Sequence, residues 1–505
     1  MNFFVKSFII KSVDIIIKEV MMVLFFVGIA ILLIGGVLYS KYVESQFQPD
    51  DRPTPAVKKA DGVDYVTMDK KKNWLINLLN IAGTGPILGP IQGILFGPIA
   101  FLAIPLGCVF AGAVHDYFTG MISIRNGGSQ VPKLVGKYLG KNVRRFYNII
   151  IAILLLLTGT VFVYTPGDLI ANDILGLDPN SNVIWIIYGV IFLYYILSTV
   201  LPIDKLIGRV YPLFGAFLLI SSLGVFVGII YKGLPHLQFD GYGLLYDHPT
   251  GQRFIPSFFI TVACGILSGF HGSQVTLVSR TVGSEKEGIG TFYSTMIAEG
   301  FIAMIWAAGA LVLFSTGAAA LDTAGTLMVG KISRNFMGSI GGYLAIIGVI
   351  ALPITSGDTA FRSLRLIVSE ELNIDQKSNV KRAGVAAVLF IPAIAILFFA
   401  KSDPNGFNIL WRYFGFTNQF VAIFALGVAT SYLITQNKNY LITLIPGIFY
   451  TFIVFSFITS AENIGFGLKP IIGNTIGVVL AILYAYFVVK NANKNRDRIN
   501  SIVLE

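Results

Sequence analysis

The stretch "IAGTGPILGPIQG" (residues 81–93) sets four glycines and two prolines among apolar residues, inside a hydrophobic run long enough to cross a bilayer. Glycine permits close approach and unusual backbone angles, and proline cannot donate to the carbonyl one turn back. In hydrocarbon an unpaired backbone group costs several kcal/mol, so irregular backbone persists only where protein or a water-filled cavity satisfies it. The stretch therefore reads in one of two ways: a packing kink, of a kind common in Gly- and Pro-rich membrane helices, or an unwound segment built to hold a ligand.

The surrounding composition fixes the setting. The 505 residues are 55% hydrophobic and 13% charged, with a mean hydropathy of +0.74. A soluble chain of this length needs far more charge to cover its surface. Apolar runs of span length recur along nearly the whole sequence, and the alternation of a porin is absent, which gives an all-α polytopic membrane protein. We expect about thirteen spans, at 21–39, 74–96, 97–121, 146–166, 183–202, 210–231, 255–272, 291–314, 343–361, 383–400, 413–434, 440–459 and 470–490. Residues 1–20 read as an amphipathic interfacial segment and 491–505 as a tail, flanking one transporter domain over 21–490. The two cysteines, Cys108 and Cys264, lie inside spans and suggest no disulfide framework.

The net charge of +10 sits between hydrophobic runs, which makes it topogenic rather than a nucleic-acid signal. Segments 40–73, 122–145, 203–209, 273–290, 362–382, 435–439 and the tail would share one face. They hold 27 of the 37 lysines and arginines. That face should be cytoplasmic, with the C-terminus, in a bacterial inner membrane. The loop 122–145 could dock a protein partner, although anchoring to anionic lipid explains its charge more simply.

Two further patches interrupt the apolar pattern: "SGFHGSQ" (268–274) in the seventh span and "LPITSGDTAFRS" (352–363) in the ninth. The second and seventh spans run in opposite directions, five spans apart. Two five-helix units, over 74–231 and 255–434, would then be inverted copies, each opening on a discontinuous helix, as in LeuT-like secondary transporters. Spans 21–39, 440–459 and 470–490 would be peripheral. Sodium-coupled carriers of that architecture hold an ion between the first broken helix and the helix equivalent to the ninth span. Here Thr355, Ser356, Asp358 and Thr359 supply oxygen ligands, with sodium possible at Thr355 and Ser356. Asp116 and Glu299 also fall within or at the ends of spans, where a carboxylate faces a cavity or a partner. His115 adjoins Asp116, and His271 lies in the seventh-span patch beside Ser273 and Gln274. A histidine near a buried acid can shuttle a proton, which makes His115, Asp116 and Glu299 relay candidates. The alternative role for each of these groups is that of a buried polar residue bonded to its neighbours.

At these motifs the chain resembles the carbon starvation protein A family of bacterial transporters. The likeness runs through "DRPTPAVKKADGVDYV" (51–66), "IAGTGPILGP", "AGAVHDYFTGMISIRNGG" (111–128), "ACGILSGFHGSQ" (263–274), "AEGFIAMIWA" (298–307), "ALPITSGDTAFRSLRLI" (351–367) and "WRYFGFTNQ" (411–419). It implies a multi-pass carrier of the amino acid–polyamine–organocation type, linked to nutrient starvation, with peptides as cargo in some members and pyruvate in others. The family pattern carries a His-His pair shortly before the first glycine motif; this chain has Ile76 and Asn77, so coupling or specificity would differ if those histidines handle protons.

The expected function is ion-coupled uptake of a peptide, or alternatively of a monocarboxylate, by alternating access. The cargo would sit between the broken spans, against Gly83, Thr84, Gly85, Pro86, Gly89, His271, Ser273 and Gln274, with its carboxylate on exposed half-helix N-termini. No cofactor is expected beyond a coupling proton or sodium ion, and no partner beyond the cargo and the bilayer. A channel would show charge rings or a filter signature. The usual enzyme motifs, H-E-x-x-H, G-x-S-x-G and Walker A, are missing.

Overall fold

Apolar runs with no water to pair their backbone close their hydrogen bonds within themselves, and helices do this residue by residue. The computed structural model accordingly consists of helices joined by short connections. The description covers residues 20–502 and 504, except 62–64, 180, 201–203, 238–242, 375–377 and 463. The amphipathic segment expected over 1–20 lies outside it, apart from Val20.

The principal helices, in chain order, begin with α1 (Val20–Phe47), the pair α2 (Lys70–Ile81) and α3 (Gly85–Phe96), and α4 (Ala100–Arg125). The short α5 (Val131–Tyr138) leads into α6 (Lys141–Ile174), α7 (Val183–Val200) and α8 (Asp204–Gly228). A second split pair follows, α9 (Phe254–Thr261) and α10 (Gly269–Val278). Then come α11 (Glu285–Ser315), α12 (Gly325–Glu371), α13 (Asn379–Ser402), α14 (Gly406–Thr435), α15 (Leu441–Ser460) and α16 (Pro470–Lys494).

Among the described residues ten helices are long and apolar enough to cross a membrane, and the α2–α3 pair, bent by 50°, makes an eleventh. The remaining two expected spans take other forms. The run 183–202 contains a shorter apolar helix, Val183–Ser198, and the run 255–272 is split between α9 and α10. The patch 352–363 needs correcting: it is continuous helix, with Pro353 inside it, and the interruption in α12 is at Gly338, whose φ of 69° places it in the left-handed region.

The two faces expected from charge are assembled as such. On the basic face Lys59 donates to the Gly127 carbonyl (3.0 Å), Arg144 pairs with Glu370 (2.8 Å) and Arg496 donates to the Thr435 carbonyl (2.9 Å). On the other face Ser315 donates to the His236 carbonyl (2.6 Å), Tyr246 N–H to Phe96 (2.9 Å), and Lys401 pairs with Asp168 (3.0 Å). Helices α11 and α14 are the most enclosed, with 83% and 89% of their apolar windows buried, against 28%, 28% and 22% for α1, α13 and α16. The interior of the molecule therefore lies around α11 and α14.

On the face opposite the basic one, residues 243–253 fold back over the end of α3. His248 packs on the Phe96 ring (4.4 Å between centroids) and accepts from Thr250 N–H (3.2 Å). Burial, with a smaller contribution from Arg412, lowers the His248 pKa to about 4. The packed form thus favours neutral imidazole, while the released loop takes up a proton near the ordinary value of about 6.5. Its contribution to stability is full above that value and is lost as pH falls towards 4. Protection factors at 244–250, taken relative to the intrinsic exchange rate at each pH, are expected to fall between pH 6.5 and 4, and His248→Gln to remove that dependence.

Candidate functional site

The two splits define the centre. The first, at 82–84, follows α2, whose last turn closes with Ala82 N–H on Leu78 (2.8 Å) before a tight turn returns Gly83 N–H to Ile81 (2.9 Å). Only those three residues are non-helical; "GPILGP" is the first turn and a half of α3, with Pro86 where a missing N–H costs nothing. The second split, at 262–268, holds one 3₁₀ turn, Ala263–Gly265. It lies N-terminal to the patch read from sequence, so His271, Ser273 and Gln274 belong to the ordered start of α10.

The splits face each other because α3 carries glycine at every fourth position. A side chain on Gly85 would overlap Cys264, one on Gly89 would come within 3.0 Å of the Thr261 carbonyl, and one on Gly93 would strike Val262. The Phe162 ring, from α6, closes over both splits. A Cβ on Gly83 would lie 2.9 Å from its Cζ, and the ring meets Phe270 edge to face at 6.2 Å.

The backbone freed at the second split is taken up by α14. Trp411 Nε1 donates to the Thr261 carbonyl (3.0 Å) and the Gln419 amide to that of Phe259. Asn418 Oδ1 accepts from Phe270 N–H (2.8 Å) and Ser268 Oγ (3.0 Å), while its amide nitrogen donates to Cys264 Sγ (3.0 Å). In the sequence these three residues stand only within the motif "WRYFGFTNQ" (411–419), without an expected role of their own. The available signal was an Asn-Gln pair and an indole within one apolar span, which must find polar partners there. Asn418→Ala is expected to cost about 1–3 kcal/mol by orphaning a buried N–H, read as a lowered Tm, with Asn418→Asp losing less than Asn418→Ala.

Beside the splits lies a buried chain of ionisable groups from three helices. His115 Nδ1 is 2.8 Å from Asp116 Oδ1, both on α4. Asp116 Oδ2 is 3.1 Å from His271 Nδ1 on α10. His271 Nε2 is 3.4 Å from Glu299 Oε2 on α11, near enough to pair by charge but not aligned as a hydrogen bond. All four side chains are fully enclosed, and among the described residues no lysine or arginine pairs with them. Asp116 lies nine residues before the end of α4, deeper in its helix than the expected span 97–121 placed it. Both Glu299 oxygens, both polar atoms of Gln274 and the Thr84 hydroxyl are buried without a hydrogen-bond partner in the protein. Asn77, where the His-His pair is replaced, donates to the Thr291 carbonyl and Thr295 Oγ1 (2.8 Å each) on α11.

The ninth-span candidates lie elsewhere. Asp358 accepts from Ser198 on α7 and from Arg362 (3.3 Å). Thr355 and Thr359 bond back to Leu352 and Ser356 within α12 (2.8 Å each), leaving the Ser356 hydroxyl unpaired. Gly357 faces the Tyr195 hydroxyl. Phe162 and Tyr195 link this patch to the splits, for Tyr195 donates to the carbonyls of Phe162 (3.0 Å) and Pro353 (3.3 Å).

The model of the carbon starvation protein CstA family matches residues 20–174, 165–335 and 308–457. The chain belongs to that family. An uncharacterized membrane protein of Haemophilus influenzae is 42% identical over 60% of this chain and 95% of its own length. The peptide transporters CstA of Campylobacter jejuni and Escherichia coli are 24% and 25% identical, over 84% and 82% of this chain and 77% and 76% of theirs. A manganese transporter of Eremococcus coleocola shares the fold with a TM-score of 0.53 at 13% identity, over 85% of this chain and 94% of that one. The family and these likenesses make the chain a multi-pass membrane transporter of a small molecule. Among the described residues no three His, Cys, Asp or Glu side chains are gathered so as to hold a metal ion.

Proposed function

We propose that this CstA-family transporter imports peptides across a bacterial inner membrane, basic face to the cytoplasm, by proton-coupled alternating access within a five-plus-five inverted repeat. The observation that carries the coupling is the enclosed chain from Asp116 through His271 to Glu299. An imidazole set between two carboxylates can accept a proton at one nitrogen and release one from the other. The three groups stand on α4, α10 and α11, so a shift of α10 about its split would lengthen one contact and shorten the other. Protonation would then bias the position of the half-helix. Gly83, Thr84, Gly85, Pro86 and Gly89 would line the cargo site with Gln274, where unpaired polar atoms sit beside two breaks in the backbone. Peptide as cargo is taken from the named relatives.

Asp358, Thr355, Ser356 and Thr359 are assigned a smaller part, in holding α12 against α7, because the Asp358 carboxylate is already occupied by Ser198 and Arg362. The test is uptake of radiolabelled dialanine into proteoliposomes. An inward proton gradient should drive accumulation, and a sodium gradient alone should not. Accumulation driven only by sodium would return the coupling role to Thr355 and Ser356. Accumulation of pyruvate but not dialanine would overturn the cargo.

A further inference from the structure

At the basic face a cavity of about 340 Å³ opens between two walls. One is made by the turn after α10, the connection from α4 to α5 and the first turn of α5, and presents Arg280 and Lys133. The other is made by α6 and the last turns of α12, and presents Asn148 and Glu370. The walls differ in chemistry. Arg280 is braced by one nitrogen only, Nε donating to the Gly128 carbonyl (3.0 Å), with its guanidinium over the Tyr65 ring at 5.4 Å. The Lys133 N–H donates to the Gln130 carbonyl (3.0 Å), but among the described residues its ammonium has no hydrogen-bond or ion-pair partner. On the opposite wall Asn148 gives its amide to Glu371 (2.6 Å), leaving its buried carbonyl oxygen unpaired. Arg144 occupies Oε1 of Glu370 (2.8 Å). One wall therefore offers donors and positive charge, the other an orphaned acceptor and a carboxylate.

The cavity is in line with the central site. His271 lies seven residues before the end of α10, about 10 Å along a helix of 1.5 Å rise, Arg280 is in the turn that follows, and α4 ends nine residues after Asp116 next to Gly127 of the cavity lining. Its volume is in the lower range for small-molecule sites.

We propose that this cavity is a second cargo site, on the path between the central site and the basic face, and that it selects a zwitterion of dipeptide size over a plain carboxylate. The cargo carboxylate would lie on Arg280 and Lys133, and its ammonium on Asn148 Oδ1 and Glu370. A pyruvate-like anion satisfies the first wall and leaves the second facing its own negative charge. The cargo's identity here rests on the peptide reading above, but binding at the cavity does not require transport.

The experiment is calorimetric titration of the purified full-length chain with dialanine, N-acetyl-dialanine, dialanine amide and pyruvate. Dialanine should bind about tenfold or more tightly than each of the other three, the loss expected when one charge-assisted contact is removed. Lys133→Gln and Glu370→Gln, both at exposed positions, should each weaken dialanine about tenfold, and Glu370→Gln should also erase the preference over the N-acetyl form. Unchanged dialanine affinity in both variants, pyruvate binding as tightly as dialanine, or no binding of any probe would overturn the proposal. If binding depends on Lys133 and Glu370 but proteoliposomes accumulate no dialanine, the cavity assignment stands and the uptake reading falls. Accumulation with unaltered binding in both variants gives the reverse.

Discussion

Asp116→Asn is expected to reduce proton-driven accumulation by about a hundredfold or more, the scale on which positioned acid–base groups act, while leaving a folded protein. The substitution keeps the volume of a side chain that contacts His115 at 2.8 Å and His271 at 3.1 Å. It removes the charge that lets His271 hold a proton between two carboxylates. An amide can still accept from one imidazole, so the stability cost should be about 1–3 kcal/mol, visible as a modest fall in Tm. The discriminating measurement is exchange. Counterflow of labelled for unlabelled dialanine at equal pH needs no net proton movement and should survive in the variant, whereas uphill accumulation should not. An Asp116→Asn protein that accumulates cargo as the parent does would remove the relay.

Gly85→Ala should damage transport strongly. Its Cβ would be placed on the Cβ of Cys264 and against its Sγ, within the second split. Overpacking of this kind costs about 1–3 kcal/mol, and here it pries apart the two splits. Transport should fall about tenfold or more if even part of that cost is paid in the conformation that binds cargo. Because the obstruction is a specific Cβ, Gly85→Ala/Cys264→Gly should recover most of the lost transport, and Cys264→Ala, which keeps that Cβ, should not. If the double variant is no better than Gly85→Ala, the effect is not the contact between the splits.

The helical architecture was legible because hydrophobic length and basic-residue placement are one-dimensional signals. The segments grouped by charge are those found touching across each face. The break at 82–84 was legible too, since glycine and proline act locally. The ninth-span patch misled for a related reason: "LPITSGD" has the composition of a break, but proline and glycine are tolerated inside a membrane helix when neighbours satisfy the backbone, and here Tyr195 reaches the Pro353 carbonyl. The joining of His115, Asp116, His271 and Glu299 was not legible. The residues were each visible, but a contact between positions 155 and 28 residues apart depends on how α4, α10 and α11 pack. The role of Trp411, Asn418 and Gln419 was hidden likewise, because a strut is defined by what it supports.

On the basic face the approach to α2 is sewn to the exit from α10. Met68 N–H donates to the Thr281 carbonyl (3.0 Å), Thr54 Oγ1 to that of Val282 (2.7 Å), and the Asn73 amide donates to the Thr281 carbonyl (3.0 Å) while its Oδ1 accepts from the Thr281 hydroxyl (2.6 Å). Arg125 adds a rivet, paired at 2.8 Å with a fully enclosed Glu285 and bonded to Tyr432 of α14 at 2.6 Å. The two half-helices below the splits are thus coupled mechanically before any cargo arrives. A rocker with two arms bolted to one axle cannot tilt one arm alone. Labels placed on α2 and α10 should therefore keep a constant separation through the transport cycle, while either one changes its distance to α12.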